Sequence, residues 1–201
     1  MTNTPLPDDV VKHRKPEYPV DPLFLSRWSP RAFTGEVVDE KSLMSLFEAA
    51  KWAPSSYNNQ PWRFIYATRN SKHWTPFFDL LVPFNQSWAD KAGALVIVVS
   101  KKTHENGKAS VSHSLDTGAA YMSLCLEATL RHLSVHPMEG FDYEKAAKLI
   151  HLPEGYVVET MLAIGKKAPK EFLKDDLLER EFPKGRKSLS ELVFEGKMGK
   201  D

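Results

Sequence analysis

One continuous apolar segment, residues 94–100, constrains the fold of this chain more than any other feature. It reads ALVIVVS, and it carries no charged residue. A strand with one solvated face alternates apolar and polar residues, whereas a continuous apolar run is typical of a strand that is covered on both faces. The sequence therefore predicts a sheet with other elements packed on each side.

Helical and strand patterns are interspersed along the rest of the chain. Asp39 is suited to cap a helix that Pro54 ends, because apolar residues follow Asp39 at helical spacing. Residues 115–133 are apolar nearly all round, which predicts a central, buried helix. The other predicted elements are a shorter helix from Asp142 to Ile150 and strands at residues 62–68, 157–164 and 188–194.

We expect an extended arm at residues 1–20 and a single domain at residues 21–201. Four prolines lie among charged residues in the arm, which indicates little secondary structure there. In an oligomer, such arms often wrap a neighbouring subunit. The whole chain has 201 residues, a length that suits one domain of ordinary size.

Composition and charge argue against several classes of protein. Lys and Arg number 27 against 26 Asp and Glu, so no general field attracts nucleic acid or anionic lipid. The longest apolar run, residues 92–99, is far too short to span a bilayer, and the N-terminus lacks the apolar core of a signal peptide. We therefore expect a cytoplasmic protein that binds neither nucleic acid nor membrane.

Cysteine and histidine give no sign of a disulfide or a metal centre. Cys125 is the single cysteine, and it lies in the most apolar predicted helix, where an inert core residue is expected. The histidines lack carboxylate or cysteine partners at metal-ligand spacing. We predict no metal site.

The first motif that points to chemistry is the segment Arg27-Trp28-Ser29-Pro30-Arg31. It places two guanidinium groups and a hydroxyl within five residues. Guanidinium groups bind phosphate through paired hydrogen bonds, and a nearby hydroxyl or backbone amide completes such a site. A solvated basic turn is the alternative interpretation.

The second motif, residues 53–62, reads APSSYNNQPW between a predicted helix and a predicted strand. Two prolines stiffen it, and two hydroxyls with three carboxamides offer paired donors and acceptors. Recognition of a planar heterocycle with carbonyl and imino groups requires such pairs. The alternative is a loop whose amides only satisfy the local backbone.

Together these motifs resemble the nitroreductase family of flavoproteins. The N-terminal signature is Arg27-x-Ser29-x-Arg31-x-Phe33, followed after a helix by Pro54-Ser55-Ser56-x-Asn58-x-Gln60-Pro61-Trp62. Three further elements follow in order: Asn85 with Trp88 before the buried strand, the loop His136-Pro137-Met138-Glu139-Gly140-Phe141, and the segment Pro183-Lys184-Gly185-Arg186. The resemblance extends from residue 27 to residue 186.

The resemblance implies an FMN cofactor and a role for each motif. Residues like Arg27, Ser29, Lys184 and Arg186 hold the phosphate and ribityl chain, so the two ends of the chain must meet. The residue like Arg31 lies near the pyrimidine end of the flavin. Trp28, whose position varies among relatives, either covers the ribityl chain or fills a gap.

The remaining motifs are implied to contact the ring system. Asn85 bonds the edge of the flavin, and the backbone at Pro137, Met138, Glu139 and Gly140 packs on one face of it. Gly140 allows close approach of backbone to a ligand, or it belongs to a plain turn. Residues like Pro54, Ser55, Ser56, Asn58 and Gln60 complete the site, and those from Pro54 to Asn58 come from a second subunit. Trp88 stands where several relatives carry Lys or Arg, so one polar contact there is missing or replaced by packing.

The fold implied by the resemblance is α+β, with a central, mainly antiparallel sheet flanked by helices in an intertwined homodimer. The implied activity is transfer of electrons from NADH or NADPH through FMN to a small oxidised acceptor, such as a nitroaromatic, quinone or enone, by a ping-pong mechanism. Alternatives are a reductive dehalogenase, a flavin-fragmenting enzyme or a flavin-binding protein without turnover. We also expect the polar segment 101–113 to be a mobile lid over the open flavin face.

Overall fold

The fold is built around one four-stranded antiparallel sheet. The computed structural model describes residues 5–198, and its strands are β1 (Trp62–Thr68), β2 (Ala94–Lys101), β3 (Leu133–Met138) and β4 (Tyr156–Lys166). They lie in the order β1-β2-β4-β3, and every neighbouring pair is antiparallel. The predicted doubly covered strand is β2, a central strand whose residues 94–100 are each at most 1% exposed.

Helices pack on both faces of the sheet, as the continuous apolar strand predicted. The α-helices are α1 (Asp8–His13), α2 (Pro22–Ser26), α3 (Glu40–Lys51), α4 (Trp74–Phe78), α5 (Pro83–Ala89), α6 (His113–Leu130), α7 (Tyr143–Leu149) and α8 (Asp175–Leu178). Single turns of 3-10 helix lie at Ser56–Asn58, Lys170–Phe172 and Leu189–Glu191. No helix in the described part of the chain has both the length and the apolarity to cross a membrane. The α+β class with a central antiparallel sheet is confirmed.

Alternate residues of β2 face two separate apolar clusters. Val96 and Val98 belong to one cluster, in which Leu46 of α3 and Leu124 of α6 are also buried. Ile97 belongs to the opposite cluster, to which α4, α5 and α7 contribute. Because successive side chains of a strand point to opposite faces, a polar residue anywhere in β2 would lose its contact with water.

Helix α6 is covered on only one face within the single chain. Ala120, Leu124 and Ala128 are fully buried against the sheet. Leu115 and Leu130, however, are 77% and 51% exposed. The prediction of a helix buried all round is therefore half right, because this chain covers only one of the two apolar faces.

The predicted strand at residues 188–194 is wrong. Residues Leu189–Glu191 form a turn of 3-10 helix instead. Ser188 donates from its Oγ to Glu191 Oε2 over 3.0 Å, and its backbone N–H donates to the same oxygen over 3.1 Å. A serine followed three residues later by glutamate is a helix-start signal, and here it outweighs the weak apolar alternation.

The N-terminal arm contains more structure than predicted. Residues Asp8–His13 form α1, with Asp8 and Asp9 in its first turn and Lys12 and His13 in its last. Negative charge at the start of a helix and positive charge at its end both favour helix formation. Val10 is 1% exposed, so the arm packs on its own chain.

The segment His136-Pro137-Met138, predicted as the start of a loop, is instead the second half of β3. Each of its residues pairs with β4, from His136 with Ala163 to Met138 with Met161. Pro137 has no N–H to donate, and β3 tolerates it because this strand lies at the edge of the sheet.

Removal of the Leu46 side chain should leave a cavity between α3 and the sheet. Leu46 is 0% exposed, and truncation of such a side chain costs about 2–5 kcal/mol. We expect Leu46→Ala to lower the free energy of unfolding by this amount in urea titrations at fixed protein concentration. Met44→Ala, on the exposed side of α3, is the matched control, and equal losses in the two variants would contradict the packing described.

Candidate functional site

A basic cavity of about 250 Å³ lies where the two ends of the chain meet. Its lining comprises Arg14, Arg27, Trp28, Ser29, Arg31, His136, Arg180, Phe182, Lys184 and Arg186. Six of these side chains are cations and none is acidic. Unpaired cations that share a cavity repel one another, and an anion with several oxygens, such as a phosphate monoester, would relieve that repulsion through charge-assisted hydrogen bonds.

A buried carboxylate brings the C-terminal segment to the first motif. Glu181 is 6% exposed, and its Oε1 accepts hydrogen bonds from the backbone N–H groups of Arg31 (2.7 Å) and Ala32 (2.9 Å). Residues Lys184 and Arg186 follow within five positions. The two hydrogen bonds of Glu181 therefore hold the C-terminal segment against the first motif.

Six sequence-predicted site residues line this cavity: Arg27, Trp28, Ser29, Arg31, Lys184 and Arg186. Arg27 Nη1 donates to Ser29 Oγ over 3.4 Å. Arg186 is exposed, and its Nη1 donates to the backbone carbonyls of Lys184 (3.2 Å) and Gly185 (2.8 Å). Trp28 also faces Lys167, whose Nζ lies 4.8 Å from the centroid of its ring.

Sequence reasoning missed two cations of the cavity, Arg14 and Arg180. Arg14 lies in the arm, thirteen positions before Arg27, and Arg180 directly precedes Glu181. Neither belongs to a motif in the sequence. The one signal that could have pointed to Arg14 is its place in a run of basic residues, Lys12-His13-Arg14-Lys15.

His136 closes the cavity on the side of the sheet. Its Nδ1 lies 3.0 Å from the carbonyl oxygen of Pro30, and a carbonyl can only accept, so Nδ1 carries the proton. Its ring packs against that of Trp88, with centroids 4.5 Å apart and the two planes tilted by 44°. Burial, and then the positive charge of Arg31, lowers the pKa of His136 from 6.5 to about 4.

Asn85 and Gly140 are in direct contact. Asn85 is buried, and its Nδ2 donates to the carbonyl oxygen of Gly140 over 2.9 Å. A Cβ atom at position 140 would lie 2.8 Å from Asn85 Nδ2 and 2.9 Å from Val82 Cγ2. The glycine is thus explained within the protein by its contact with α5. Met138 lies two residues earlier, at the end of β3, and its carbonyl accepts a hydrogen bond from Thr160 Oγ1 over 2.9 Å.

Trp88 is a core residue. It is 2% exposed, it stacks on Phe33 at 6.3 Å, and it packs against the tilted ring of His136. Its Nε1 is buried without a hydrogen-bond partner among residues 5–198.

The second motif forms a strained, exposed loop away from the basic cavity. Tyr57, Asn58 and Gln60 all have positive φ, at 53°, 55° and 46°. Residues other than glycine rarely adopt this left-handed region of backbone conformation, and such strain concentrates at functional sites. Tyr57 is 94% exposed, and Asn58 is also exposed.

Part of this loop is used for local structure, as the alternative interpretation held. Ser55 Oγ accepts from the N–H of Gln60 over 3.0 Å, and Gln60 Nε2 donates to the carbonyl of Asn58 over 2.8 Å. Asp116 of α6 accepts from the N–H of Ser56 over 3.1 Å. The Asn58 side chain has no such role in the hydrogen bonds of the described residues.

An open groove of about 650 Å³ runs between this loop and α6. Pro54, Ser55 and Ser56 line one side, and the start of α6 from residue 114 to residue 119 lines the other. The groove and the basic cavity share no lining residue. A single chain therefore does not bring the two motifs into one cavity. Pro137, Glu139 and Gly140 line neither of them.

The polar segment 101–113 is a small hairpin rather than an unstructured loop. Thr103 and Ala109 form a bridge, and the N–H of His104 donates to the carbonyl of Lys108 over 2.8 Å. Tyr57 meets His104 edge to face at 5.8 Å, and Asn59 Nδ2 donates to the carbonyl of Thr103 over 3.3 Å. The hairpin thus lies against the second motif.

A polar cluster that sequence reasoning missed lies at the base of the hairpin. A β-bulge in β4 at residue 159, opposite the step from Val98 to Val99, leaves Glu159 unpaired in the ladder. Its Oε1 accepts from the hydroxyls of Ser100 and Ser114 and lies 3.5 Å from His113 Nδ1. Ser100 is 0% exposed and donates to the carboxylate, so the cluster ties β2 and β4 to the start of α6.

Comparison with known proteins identifies the family. The sequence profile of the nitroreductase family matches residues 25–80 and 72–166. The chain belongs to the nitroreductase family. The match covers the first motif, the strained loop, Asn85 and β3, and it ends before the C-terminal segment of the basic cavity.

Several known proteins are similar to this chain over most of their own length. A crystal structure of an oxidoreductase containing FMN is 43% identical, with a TM-score of 0.90, and the alignment covers 94% of this chain and 97% of the other. An uncharacterised 15.4 kDa protein of Mycolicibacterium smegmatis is 31% identical over 120 residues, which are 59% of this chain and 80% of that protein. A candidate nitroreductase of Desulfovibrio desulfuricans, solved in complex with FMN, is 23% identical with a TM-score of 0.68 and covers 92% and 100% of the two chains, which shows a shared fold.

Two further observations on this nitroreductase-family chain concern possible metal ligands and the cysteine. Among residues 5–198, no group of three or more His, Cys, Asp or Glu side chains is arranged to hold a metal ion. Cys125 is 2% exposed, and burial raises the pKa of its thiol to about 12. The expected inert character of this cysteine follows from that burial.

The neutral state of His136 should make stability depend on pH. In the unfolded chain this imidazole takes up a proton below about pH 6.5, whereas in the native state it does so only near pH 4. The free energy of unfolding should therefore fall as the pH is lowered from 6.5 to 4, by about 3 kcal/mol for this group.

Urea titrations between pH 7.5 and pH 4 measure this dependence. We expect His136→Asn to flatten the curve in that range, because the replacement does not titrate. His73→Asn, at an exposed histidine, is the control and should keep the dependence of the unchanged protein. An equal slope in His136→Asn would show that this imidazole is not the group responsible.

Proposed function

We propose that this protein is an FMN-dependent oxidoreductase that transfers electrons from NADH or NADPH to a small oxidised acceptor by a ping-pong mechanism. The observation that carries the proposal is the cavity with six cations and no acid in a chain of the nitroreductase family. FMN ends in a phosphate dianion, whose charge and oxygen atoms such a lining suits. A similar protein, 43% identical, contains FMN.

The cavity residues would hold the cofactor at its charged end. Arg27, Ser29, Lys184 and Arg186 would bind the phosphate and the ribityl chain, since all four line the same small cavity. The buried bond from Glu181 to the Arg31 segment would keep these groups in place without a bound anion. Preorganised cations bind more tightly than cations that must be gathered on binding.

Other residues would hold the ring system. Arg31 would lie near the pyrimidine end, where its charge favours the reduced and more negatively charged state of the cofactor. Asn85 would contact the edge of the ring, and the backbone from Pro137 to Gly140 would lie beneath it. Bound FMN supplies the redox chemistry itself, taking electrons from the nicotinamide donor and delivering them to the acceptor.

A homodimer would complete the site. Pro54, Ser55 and Ser56 line a groove that shares no residue with the basic cavity, and Asn58 lies in the same loop. The uncovered face of α6, with Leu115 and Leu130, lies exposed in the single chain, and apolar surface of this kind marks a contact with another protein. We propose that a second copy covers this face and brings its strained loop to the cofactor of the first.

The redox activity can be tested by eye and by absorbance. We expect purified protein reconstituted with FMN to be yellow, to bleach when NADH or NADPH is added under argon, and to recover its colour with a nitroaromatic or a quinone. Failure to retain FMN would overturn the proposal. A yellow protein that neither donor reduces would indicate a flavin-binding protein without turnover, and recovery only with a halogenated substrate would indicate dehalogenation.

The shared site can be tested with two inactive variants. Arg27→Ala and Asn58→Ala should each disable both sites of a homodimer, because every site would use Arg27 from one subunit and Asn58 from the other. When the two proteins are unfolded, mixed equally and refolded, about half of the dimers are mixed. One site of each mixed dimer then has both intact residues, so about a quarter of all sites should become active.

The measurement is the specific activity of the mixture against the two separately refolded variants. Mass analysis should first show that mixed dimers have formed. A mixture no more active than its components, with mixed dimers present, would place the two motifs in the same subunit's site or in none, and would contradict the proposed shared site.

A further inference from the structure

Arg14 joins three segments of the chain that meet at the basic cavity. It follows α1 in the arm, outside the residues that match the family. Its Nη1 donates to the carbonyl oxygens of Leu25 (2.6 Å) and Arg27 (2.8 Å). Its Nε donates to the carbonyl oxygen of Lys184 over 3.2 Å. One guanidinium therefore holds the backbone of two proposed phosphate ligands, Arg27 and Lys184.

The position of Arg14 is electrostatically unfavourable unless an anion is bound. Burial, and then the positive charges of Arg186 and Arg27, lower the pKa of Arg14 to about 10, while Asp9 opposes the shift only weakly. Its three hydrogen bonds go to neutral carbonyl groups and leave the charge without a close carboxylate in the described chain. An anion in the cavity would compensate this charge together with those of its neighbours.

The arm and the C-terminal segment form one unit around Arg14. The ring of His13 stacks on Phe182 at 4.8 Å. Glu17 Oε1 accepts from the backbone N–H of Leu189 over 2.8 Å, and Asp9 pairs with Lys167 at 3.2 Å. Movement of the arm would therefore also move the segment that carries Lys184 and Arg186.

We propose that Arg14 is a positioning residue for the phosphate site, because it fixes the backbones of Arg27 and Lys184 at the same time. Docking of the arm and binding of phosphate then stabilise each other. This inference rests on the proposed use of FMN. A ligand that binds only the docked state stabilises that state. Riboflavin, which lacks the phosphate, should not do so.

The test compares FMN with riboflavin, because the phosphate is their only difference. In Arg14→Met we expect the dissociation constant for FMN to rise about tenfold or more, because two phosphate ligands that are no longer held in place should lose as much as one charge-assisted contact contributes. The dissociation constant for riboflavin should stay within about twofold, since the ring contacts remain. Quenching of flavin fluorescence on binding measures both constants.

Three further variants define what Arg14 does. Arg14→Lys keeps the charge but lacks the planar fork that reaches several carbonyls, so it should lose most of the preference for FMN. Arg186→Ala should lose the preference as a direct ligand. Arg69→Met is the matched control, because Arg69 Nη1 also donates to two backbone carbonyls, those of Asp90 and Ala92, away from the cavity.

Proteolysis gives a readout that uses the unchanged protein. Lys12 is exposed in α1, and FMN should slow tryptic cleavage after it more than an equal occupancy of riboflavin does. Equal protection by the two flavins would overturn the coupling between arm and phosphate.

The remaining outcomes separate this inference from the proposed function. Full recovery of FMN binding in Arg14→Lys would show that charge alone matters. Equal losses of affinity for FMN and riboflavin in Arg14→Met would show a general structural role. Either result overturns the positioning role. If the unchanged protein and Arg14→Met bind FMN equally well, this inference alone is overturned. An unchanged protein that binds neither flavin overturns the proposed function and this inference with it.

Discussion

The carboxylate of Glu181 is the contact on which the candidate site depends. It is buried, and it accepts two backbone hydrogen bonds from residues about 150 positions earlier. A carboxylate removed from water is costly unless its hydrogen bonds are replaced, so this contact has a strong preference for one geometry. Together with the hydrogen bonds of Arg14 to the carbonyls of Arg27 and Lys184, it fixes the cations at positions 184 and 186 relative to those at 27 and 31.

The sheet and the site depend on each other through a short chain of contacts. Strand β3 places His136 against Trp88 and the carbonyl of Pro30, and Pro30 lies between Ser29 and Arg31 in the first motif. The neutral imidazole therefore aligns the motif without adding a seventh charge to the cavity. On the other side of the molecule, the bulge at Glu159 fixes the start of α6, and Asp116 near that start holds the strained loop. Each functional segment is thus attached to a rigid element.

Much of the fold could be predicted from the sequence because its central elements have strong periodic signals. Strand β2, the capped helix α3 and the helix α6 were all visible as apolar patterns. The short helices α2, α4, α5 and α8 were missed, because helices of four to seven residues carry too few turns for periodicity to show. The strand expected at residues 188–194 failed because alternation over a few exposed residues is a weak signal beside a serine-glutamate pair that closes a turn.

The site was less visible than the fold for a physical reason. The first motif is local in sequence, so Arg27, Ser29 and Arg31 could be recognised together. Arg14 acts through carbonyl groups of distant segments, and a pattern of side chains does not reveal which backbone atoms will be close. The separation of the strained loop from the cavity depends on tertiary structure alone, although the resemblance to known flavoproteins implied a second subunit.

Because Cys125 is buried, the rate at which its thiol reacts can be used to measure local opening of the structure. The thiolate is the reactive form of cysteine, and a thiol whose pKa is about 12 is almost entirely protonated at neutral pH. Because the sulfur is also buried, alkylating reagents can react with it appreciably only when the packing around α6 opens. Because the chain has one cysteine, the rate of its modification reports the free energy of that opening without any engineered label.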